Sequence, residues 1–478
     1  MNSARARRAP SERTRAASAT ASAGELVVIG KDILELLSSA MYIDPLSIYR
    51  EYVQNAADAI DDARETGLLP ASTPGEVRIM MDTDARTVRL RDNGSGIPTA
   101  DAARVLLSIG ASGKRGRKAR GFRGIGRLAG LAYCRELVFR TRTAGDAQVA
   151  ELRWDCVRLR TVLRSLGEDD DLPGVVDKIV TLSEREATSD DPAHFLEVEL
   201  RDVVRHHRGD ALMNEVLVAE YLQDVAPLPF DEGFAFGAEI RAHLAPHVRL
   251  ADLDIRINDS APLRRAHRDQ FPAKLNADGH LSECELLEFQ DRDGGVSAVG
   301  WILHHEYLGA LPQRARIKGA RLRAGDVQVG DERVLEEHYP EPRFNSWTVA
   351  EIHVVDPRIV PNARRDQFEH NVHFSDLTAQ FEPIARQIAR RCRNASIDRN
   401  RAKALEQAVA SVADLVAEPH LPSVPAPALL PAIADCVSKV RALLKRIPQF
   451  EGEAKLDEAL ARLEALTQNL DDREPRAG

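Results

Sequence analysis

Between Ser47 and Arg64 the chain reads Ser-Ile-Tyr-Arg-Glu-Tyr-Val-Gln-Asn-Ala-Ala-Asp-Ala-Ile-Asp-Asp-Ala-Arg. In a helix, Glu51, Asn55, Asp58 and Asp62 share one face, while Ile48, Tyr52, Ala56, Ile60 and Ala63 form another that can bury against a sheet. A carboxylate and an amide one turn apart have the chemistry of a general base beside a magnesium ligand. Acids along a helix are more often just its wet side, so the helix alone establishes nothing. The elements around it decide.

Arg86 to Asp92 alternates as a strand, with Val88 and Leu90 on one side, and ends on Asp92, where Asn93-Gly94-Ser95-Gly96 must turn sharply. A carboxylate at a strand end, beside glycines that let a ligand approach the backbone, can accept a hydrogen bond from an exocyclic amine such as that of adenine. Leu107 to Gly113 leads into the basic run Lys114 to Arg120, and Gly121-Phe-Arg-Gly124-Ile-Gly126 then precedes an expected helix from Arg127. Glycine-rich backbone before a helix N-terminus presents N–H groups to phosphate. From Gly113 to Arg127 there are seven Lys or Arg and no acid. One glycine repeat is weak, since glycines mark ordinary turns; four pieces in this order, each with a compatible role, point to a nucleotide.

These residues resemble the boxes of the GHKL ATPases, the Bergerat-fold superfamily of gyrase B, the ninety-kilodalton heat-shock chaperones, histidine kinases and MutL. Glu51 and Asn55 match the first box, Asp92, Gly94 and Gly96 the second, and Gly124 and Gly126 the third. The resemblance implies ATP and Mg2+ as cofactors, with Glu51 polarising the attacking water, Asn55 holding Mg2+ and Asp92 binding the adenine amine. Asp58, Gly94, Gly96, Lys114, Gly121, Gly124 and Gly126 are expected around the nucleotide. Tyr49-Arg50-Glu51 followed by Asn55-Ala-Ala-Asp58-Ala is most similar to the chaperone branch, HtpG included. Two positions depart from the pattern. The family's last sheet strand carries a Thr that supports the adenine-binding Asp, whereas here the stretch reads His194-Phe-Leu-Glu-Val-Glu-Leu200; and Arg127 stands where the chaperones place an aromatic.

At 478 residues, 44% hydrophobic and 29% charged, the chain reads as a soluble protein of two to four domains. Its five cysteines, at 134, 156, 284, 392 and 436, are odd in number and lack metal-ligand spacing, so they read as reduced thiols of a cytoplasmic protein. The net charge of −9 argues against a whole-protein polyanion binder. Arg outnumbers Lys 55 to 10, a skew that looks like genome composition, so scattered arginines do not count towards nucleic acid. No stretch has the length and apolarity of a membrane span, and no membrane partner is expected. Met1 to Gly24, rich in Arg, Ser and Ala with one acid, reads as a disordered arm in preference to a transit peptide.

The expected architecture is α+β: a Bergerat-fold α/β sandwich over 25–205, an α+β middle domain over 206–375, and a helical tail over 376–478 with a Pro-rich break at 418–431. Leu137 to Arg142 and Ala147 to Trp154 pair around a Thr143–Asp146 turn, and Phe195 to Val203 adds a strand. Acidic Gly167 to Gly174 reads as a solvated loop. In the middle domain, Leu253 to Asn258 is a strand, Asp291 to Gly295 turns into Val296 to His304, and Arg321 to Val329 is a hairpin. Adjacent His304 and His305 point to opposite faces of a strand, which argues against a metal site.

Val355-Asp-Pro-Arg-Ile-Val-Pro-Asn-Ala-Arg-Arg-Asp-Gln-Phe368 is a rigid loop able to aim guanidinium groups at a γ-phosphate, or equally to pair Arg364 with Asp366. It is similar to the chaperones' middle-domain loop, Leu-Pro-x-Asn-x-x-Arg-Glu, and that resemblance gives Arg365 the role of the arginine that reaches the nucleotide. Two classes of function stand. One is a chaperone-like ATPase whose lid and domains close on a protein client, with the helical tail either forming a homodimer or docking back on the chain. The other is an ATP-gated nucleic-acid clamp of the MutL, MORC or topoisomerase type, in which Lys318 would supply the second-domain cation; a regulatory or defence ATPase is a third variant.

Overall fold

The computed structural model describes residues 44–108, 126–164, 172–205, 209–273 and 278–417, with positions 435, 438 and 461. Its strands are β1 (Gly75–Asp82), β2 (Thr87–Asp92), β3 (Glu136–Arg142), β4 (Gln148–Asp155), β5 (Val180–Glu186), β6 (Phe195–Arg201), β7 (Leu253–Ile257), β8 (Gln270–Pro272), β9 (Asp278–Gln290), β10 (Val296–His305), β11 (Gly319–Ala324), β12 (Val327–Val329) and β13 (Val349–Val354). The helices are α1 (Ser47–Glu65), α2 (Ala102–Leu107), α3 (Cys156–Arg164), α4 (Leu172–Ile179), α5 (Glu215–Val225), α6 (Gly237–Leu244) and α7 (Val372–Ala417).

Seven strands form the first sheet, in the order β5-β4-β3-β6-β2-β1-β7. Period-two alternation sends Val77, Ile79, Val88, Leu90, Leu137, Phe139, Leu152, Val198 and Leu200 to one face, where they pack with Ile48, Tyr52, Val53, Ala56 and Ile60 of α1. The alternate residues build an ion-pair lattice on the other face. Arg140 Nη1 lies 2.7 Å from Glu197, Arg91 Nη2 2.6 Å from Glu197, and Arg89 Nη2 3.0 Å from Glu199. Burial tends to raise the Glu199 carboxyl, but the hydrogen bond from Arg89 and the charge of Arg140 outweigh it and hold the group at about 2.

β7 is where the sheet departs from the sequence reading. Leu253 to Asn258 was expected in the middle domain, yet β7 pairs in parallel with β1, Val77 opposite Ile255, and completes the first sheet. Membership of that sheet therefore runs past residue 205. α5 lies against α1, with Asn214 capping it through a hydrogen bond from Leu217 N. Covered on two sides, α1 buries far more than one stripe: Tyr49, Arg50, Gln54, Asp58 and Asp61 are buried too, and Asp62 is exposed.

The second sheet is ordered β12-β11-β13-β10-β9-β8. Its central strand β10 is apolar almost throughout because both faces are covered. Phe234, Ile240 and Leu244 pack on Val299, Trp301 and Leu303, while Leu377, Phe381 and Ile388 of α7 pack with Ile302, Leu322 and Ile352. A buried charge cluster joins the sheets: Arg265 pairs with Asp326 at 2.5 Å and with Glu351, Arg323 pairs with Glu351 at 2.8 Å, and Ala251 N, two residues before β7, donates to Asp326. Leu172-Pro-Gly174, the end of the stretch expected as a loop, opens α4 instead, with Val175 and Ile179 as its buried anchors; 165–171, which hold the acids of that stretch, lie outside the described residues.

Candidate functional site

Glu51 and Asn55 sit one turn apart on α1, both partly exposed, with Asp58 buried below them. Glu51 faces the backbone of Gly126: a Cβ built there would stand 2.2 Å from Glu51 Oε2. A side chain there would push the carboxylate away, so the first glutamate and the last glycine of the predicted set meet in space. The helix expected from Arg127 is a 3-10 helix, Gly126–Ala132. Gly130 N donates to the Tyr52 hydroxyl at 2.9 Å, which ties this stretch to α1. Arg127 donates to Val105 O, and burial lowers its pKa.

Asp92 ends β2, buried, opposite Leu196 of β6. Its Oδ1 accepts from Gly94 N at 2.9 Å. Side chains at both positions would be refused: a Cβ on Gly94 would meet Ala59 Cβ at 2.6 Å, and Gly96 is left-handed, with φ of 66°. The turn is also held by Ser95 N donating to Ala59 O, and by Thr141, whose hydroxyl accepts from Ile97 N at 2.7 Å and donates to Phe195 O at 3.1 Å. Lys114, Gly121 and Gly124 lie outside the described residues.

The 355–368 loop leaves β13 and closes on itself through a bridge between Pro361 and Phe368. Asp366 accepts from Asn362 Nδ2 at 2.5 Å. Arg365 is buried and left-handed, with φ of 56°, and its carbonyl accepts from Gly330 N. The loop reaches the site through Arg50, whose Nη2 donates to Arg364 O at 3.0 Å and lies 3.4 Å from Glu51 Oε1. Lys318 pairs with Glu332 at 3.3 Å within the second half of the chain.

Comparison with known proteins places this geometry. Residues 47–166 match the family model described as histidine kinase-, DNA gyrase B-, and HSP90-like ATPase. The chain carries a GHKL ATPase domain similar to that of the HtpG branch. The chain is 30% identical over 157 residues to the chaperone protein HtpG of Idiomarina loihiensis, covering 29% of this chain and 23% of that one. With the HtpG of Psychrobacter arcticus it is 31% identical over 139 residues, covering 26% and 21%. The chain thus spans less than a quarter of the length of these relatives.

Within the GHKL domain, the sequence reading left two positions without a role. Arg50 is next to Glu51 in sequence but belongs to the buried stripe Arg50, Gln54, Ala57 and Asp61, and a helical-wheel count extended to the polar members of that stripe would have found it. His194 stands in the stretch that lacks the expected Thr, and no periodicity marks it. Away from the domain, His304 contacts Glu285 and Tyr307, and His305 contacts Trp347 O, as structural residues do. Among the described residues no group of three or more His, Cys, Asp or Glu is arranged to hold a metal, and Cys134, Cys156, Cys284 and Cys392 are free thiols.

Proposed function

We propose that the protein binds and hydrolyses ATP with Mg2+, and that ATP-driven closure of the basic segment and of the second half of the chain acts on a protein client, in the manner of a heat-shock chaperone. The observation that carries this reading is the shared contact at Glu51, which meets Gly126 of its own domain on one side and Arg50, bonded to the Arg364 carbonyl, on the other. A carboxylate in that position is where a water attacking a terminal phosphate would be oriented. Phosphoryl transfer asks little covalent help from a protein, so positioning and charge stabilisation carry the catalysis.

The residues present fit the cofactors. Gly94 lets the backbone close on Ala59, and Gly126 lets it close on Glu51, so Asp92 and Glu51 each stand beside a glycine turn. Asn55 offers a neutral oxygen one turn from Glu51, which suits Mg2+, an ion held mainly by phosphates, waters and one or two protein oxygens. Bound there, the ion would neutralise phosphate charge. Asp92 would take the adenine amine, and Arg365, carried on the loop bonded to Arg50, would meet the γ-phosphate. Because that arginine comes from beyond the first sheet, hydrolysis would be coupled to docking of the loop.

Nothing specific favours the nucleic-acid clamp, since the Lys318 ammonium is engaged by Glu332. The reading also places the protein in the cytoplasm. It is tested by Mg2+-dependent ATP turnover of the wild type and of Glu51→Gln, with and without DNA. Turnover lost in Glu51→Gln with nucleotide binding retained supports the assignment; DNA stimulation that disappears in Lys318→Ala supports the clamp instead.

A further inference from the structure

We propose that His194 is a positioning residue for the adenine-recognising carboxylate, replacing by a ring N–H the support that a threonine would otherwise give. The inference rests on the assignment of Asp92 to the adenine amine made above.

The register of the first sheet sets the geometry. β2 and β6 are antiparallel, with Asp92 opposite Leu196, so the next non-adjacent pair along the ladder is Gly94 opposite His194. The strands part there, because Gly94 and Gly96 turn the chain away, and a side chain takes over from the ladder: His194 Nδ1 lies 2.7 Å from Gly94 O. A carbonyl oxygen can only accept, so Nδ1 carries the proton. The same peptide unit gives its N–H, from Ser95, to Ala59 O of α1 at 2.9 Å. The preceding unit gives its N–H, from Gly94, to Asp92 Oδ1 at 2.9 Å.

Gly94 therefore has one flanking peptide bound to the recognition carboxylate and the other bound to His194 and α1. Glycine is the residue whose dihedrals are least constrained by its own chemistry. With the ring removed, the 94–95 carbonyl loses its restraint, ψ of Gly94 loosens, and the Gly94 N–H that orients Asp92 loosens with it. Thr141 cannot substitute, since its hydroxyl is committed to Ile97 and Phe195, on the far side of Gly96.

The consequence is confined to the base. An interaction that orients the adenine acceptor affects ground state and transition state alike, so it moves KM and nucleotide affinity and leaves kcat. Loss of one hydrogen bond of ordinary strength corresponds to about a five- to tenfold change in affinity.

The test compares wild type, Asp92→Asn, His194→Ala, His194→Asn and His194→Gln for ATP turnover, for ADP affinity, for affinity towards inorganic tripolyphosphate and for melting temperature. The amide nitrogen of Asn stands where Nδ1 stands; that of Gln stands where Nε2 does. We expect His194→Ala to raise KM for ATP and Kd for ADP by about five- to tenfold, with kcat within twofold and tripolyphosphate affinity unchanged, and His194→Asn but not His194→Gln to recover most of the loss. The inference is overturned if His194→Ala binds ADP as the wild type does while Asp92→Asn is impaired. It is equally overturned if tripolyphosphate affinity and melting temperature fall together with ADP affinity and Asn does not rescue. A wild type that binds no adenine nucleotide would remove the assignment of Asp92 and this inference with it.

Discussion

Replacing Gly126 with alanine should separate catalysis from stability. The added methyl would lie 2.2 Å from Glu51 Oε2 and 3.1 Å from its Cδ, where ordinary contact begins at 3.4 Å, so the carboxylate must retreat by about 1.2 Å. The obstructing atoms are the end of a side chain that is partly exposed, not backbone, and Gly126 is not among the glycines with positive φ. The fold can therefore absorb the methyl by moving Glu51, at a cost well under that of an overpacked core, about 1 kcal/mol or less. Catalysis cannot absorb it, because a displacement of about 1 Å in a positioned group costs on the order of a hundredfold in rate. The assay is steady-state ATP turnover alongside ADP affinity and thermal unfolding. We expect turnover to fall about 30- to 100-fold, with ADP affinity within threefold and melting temperature within about 3 °C. Unchanged turnover would refute the placement of Glu51 as the water-orienting group, since its carboxylate cannot stay where it is beside alanine.

Two further outcomes follow from contacts described above. Arg50→Ala removes the charged hydrogen bond to the Arg364 carbonyl, worth about 1.5–3 kcal/mol when made by an ionised donor, so turnover should drop about tenfold or more at unchanged ADP affinity; equal turnover would show that the loop docks without it. In the ion-pair lattice, Glu199 is held at about 2, below its ordinary value of 4.5. A depressed carboxyl stabilises the fold above its unfolded pKa and loses that contribution as pH falls through the folded value. The stability difference between wild type and Glu199→Gln, measured by urea unfolding, should accordingly be full at pH 6 and shrink between about pH 4.5 and 2; a difference constant across that range would contradict the lattice.

Much of the site was legible because its chemistry is local. Glu51 and Asn55 are one helical turn apart, and Asp92 ends a strand whose inward residues, Val88 and Leu90, alternate plainly. What the sequence concealed depends on distant partners. Period-two patterning identifies β7 as a strand but carries nothing about which edge it joins, and the parallel pairing with β1 bridges more than 170 residues of chain. The seat of 126–132 on α1 depends on Tyr52, some 80 residues upstream, which takes the Gly130 backbone donor. His194 looks like any polar residue before a strand until the β2–β6 register brings it across from Gly94. Arg50 was hidden for another reason: a buried arginine contradicts the rule that helix faces are either apolar or wet, and it is tolerated here because a carbonyl and a carboxylate receive it.

The parallel seam between β1 and β7 also governs how the chain can be made. During synthesis β1 is exposed to the cell long before β7 exists, with one edge of main-chain N–H and C=O groups open to any passing strand. The nucleotide domain is thus complete only after residue 257 has left the ribosome, and a fragment ended at 205, where sequence composition invites a cut, would carry a raw sheet edge and lack α5 over α1. Such a fragment is built to stick to copies of itself, so a workable expression boundary for the isolated nucleotide domain lies beyond β7.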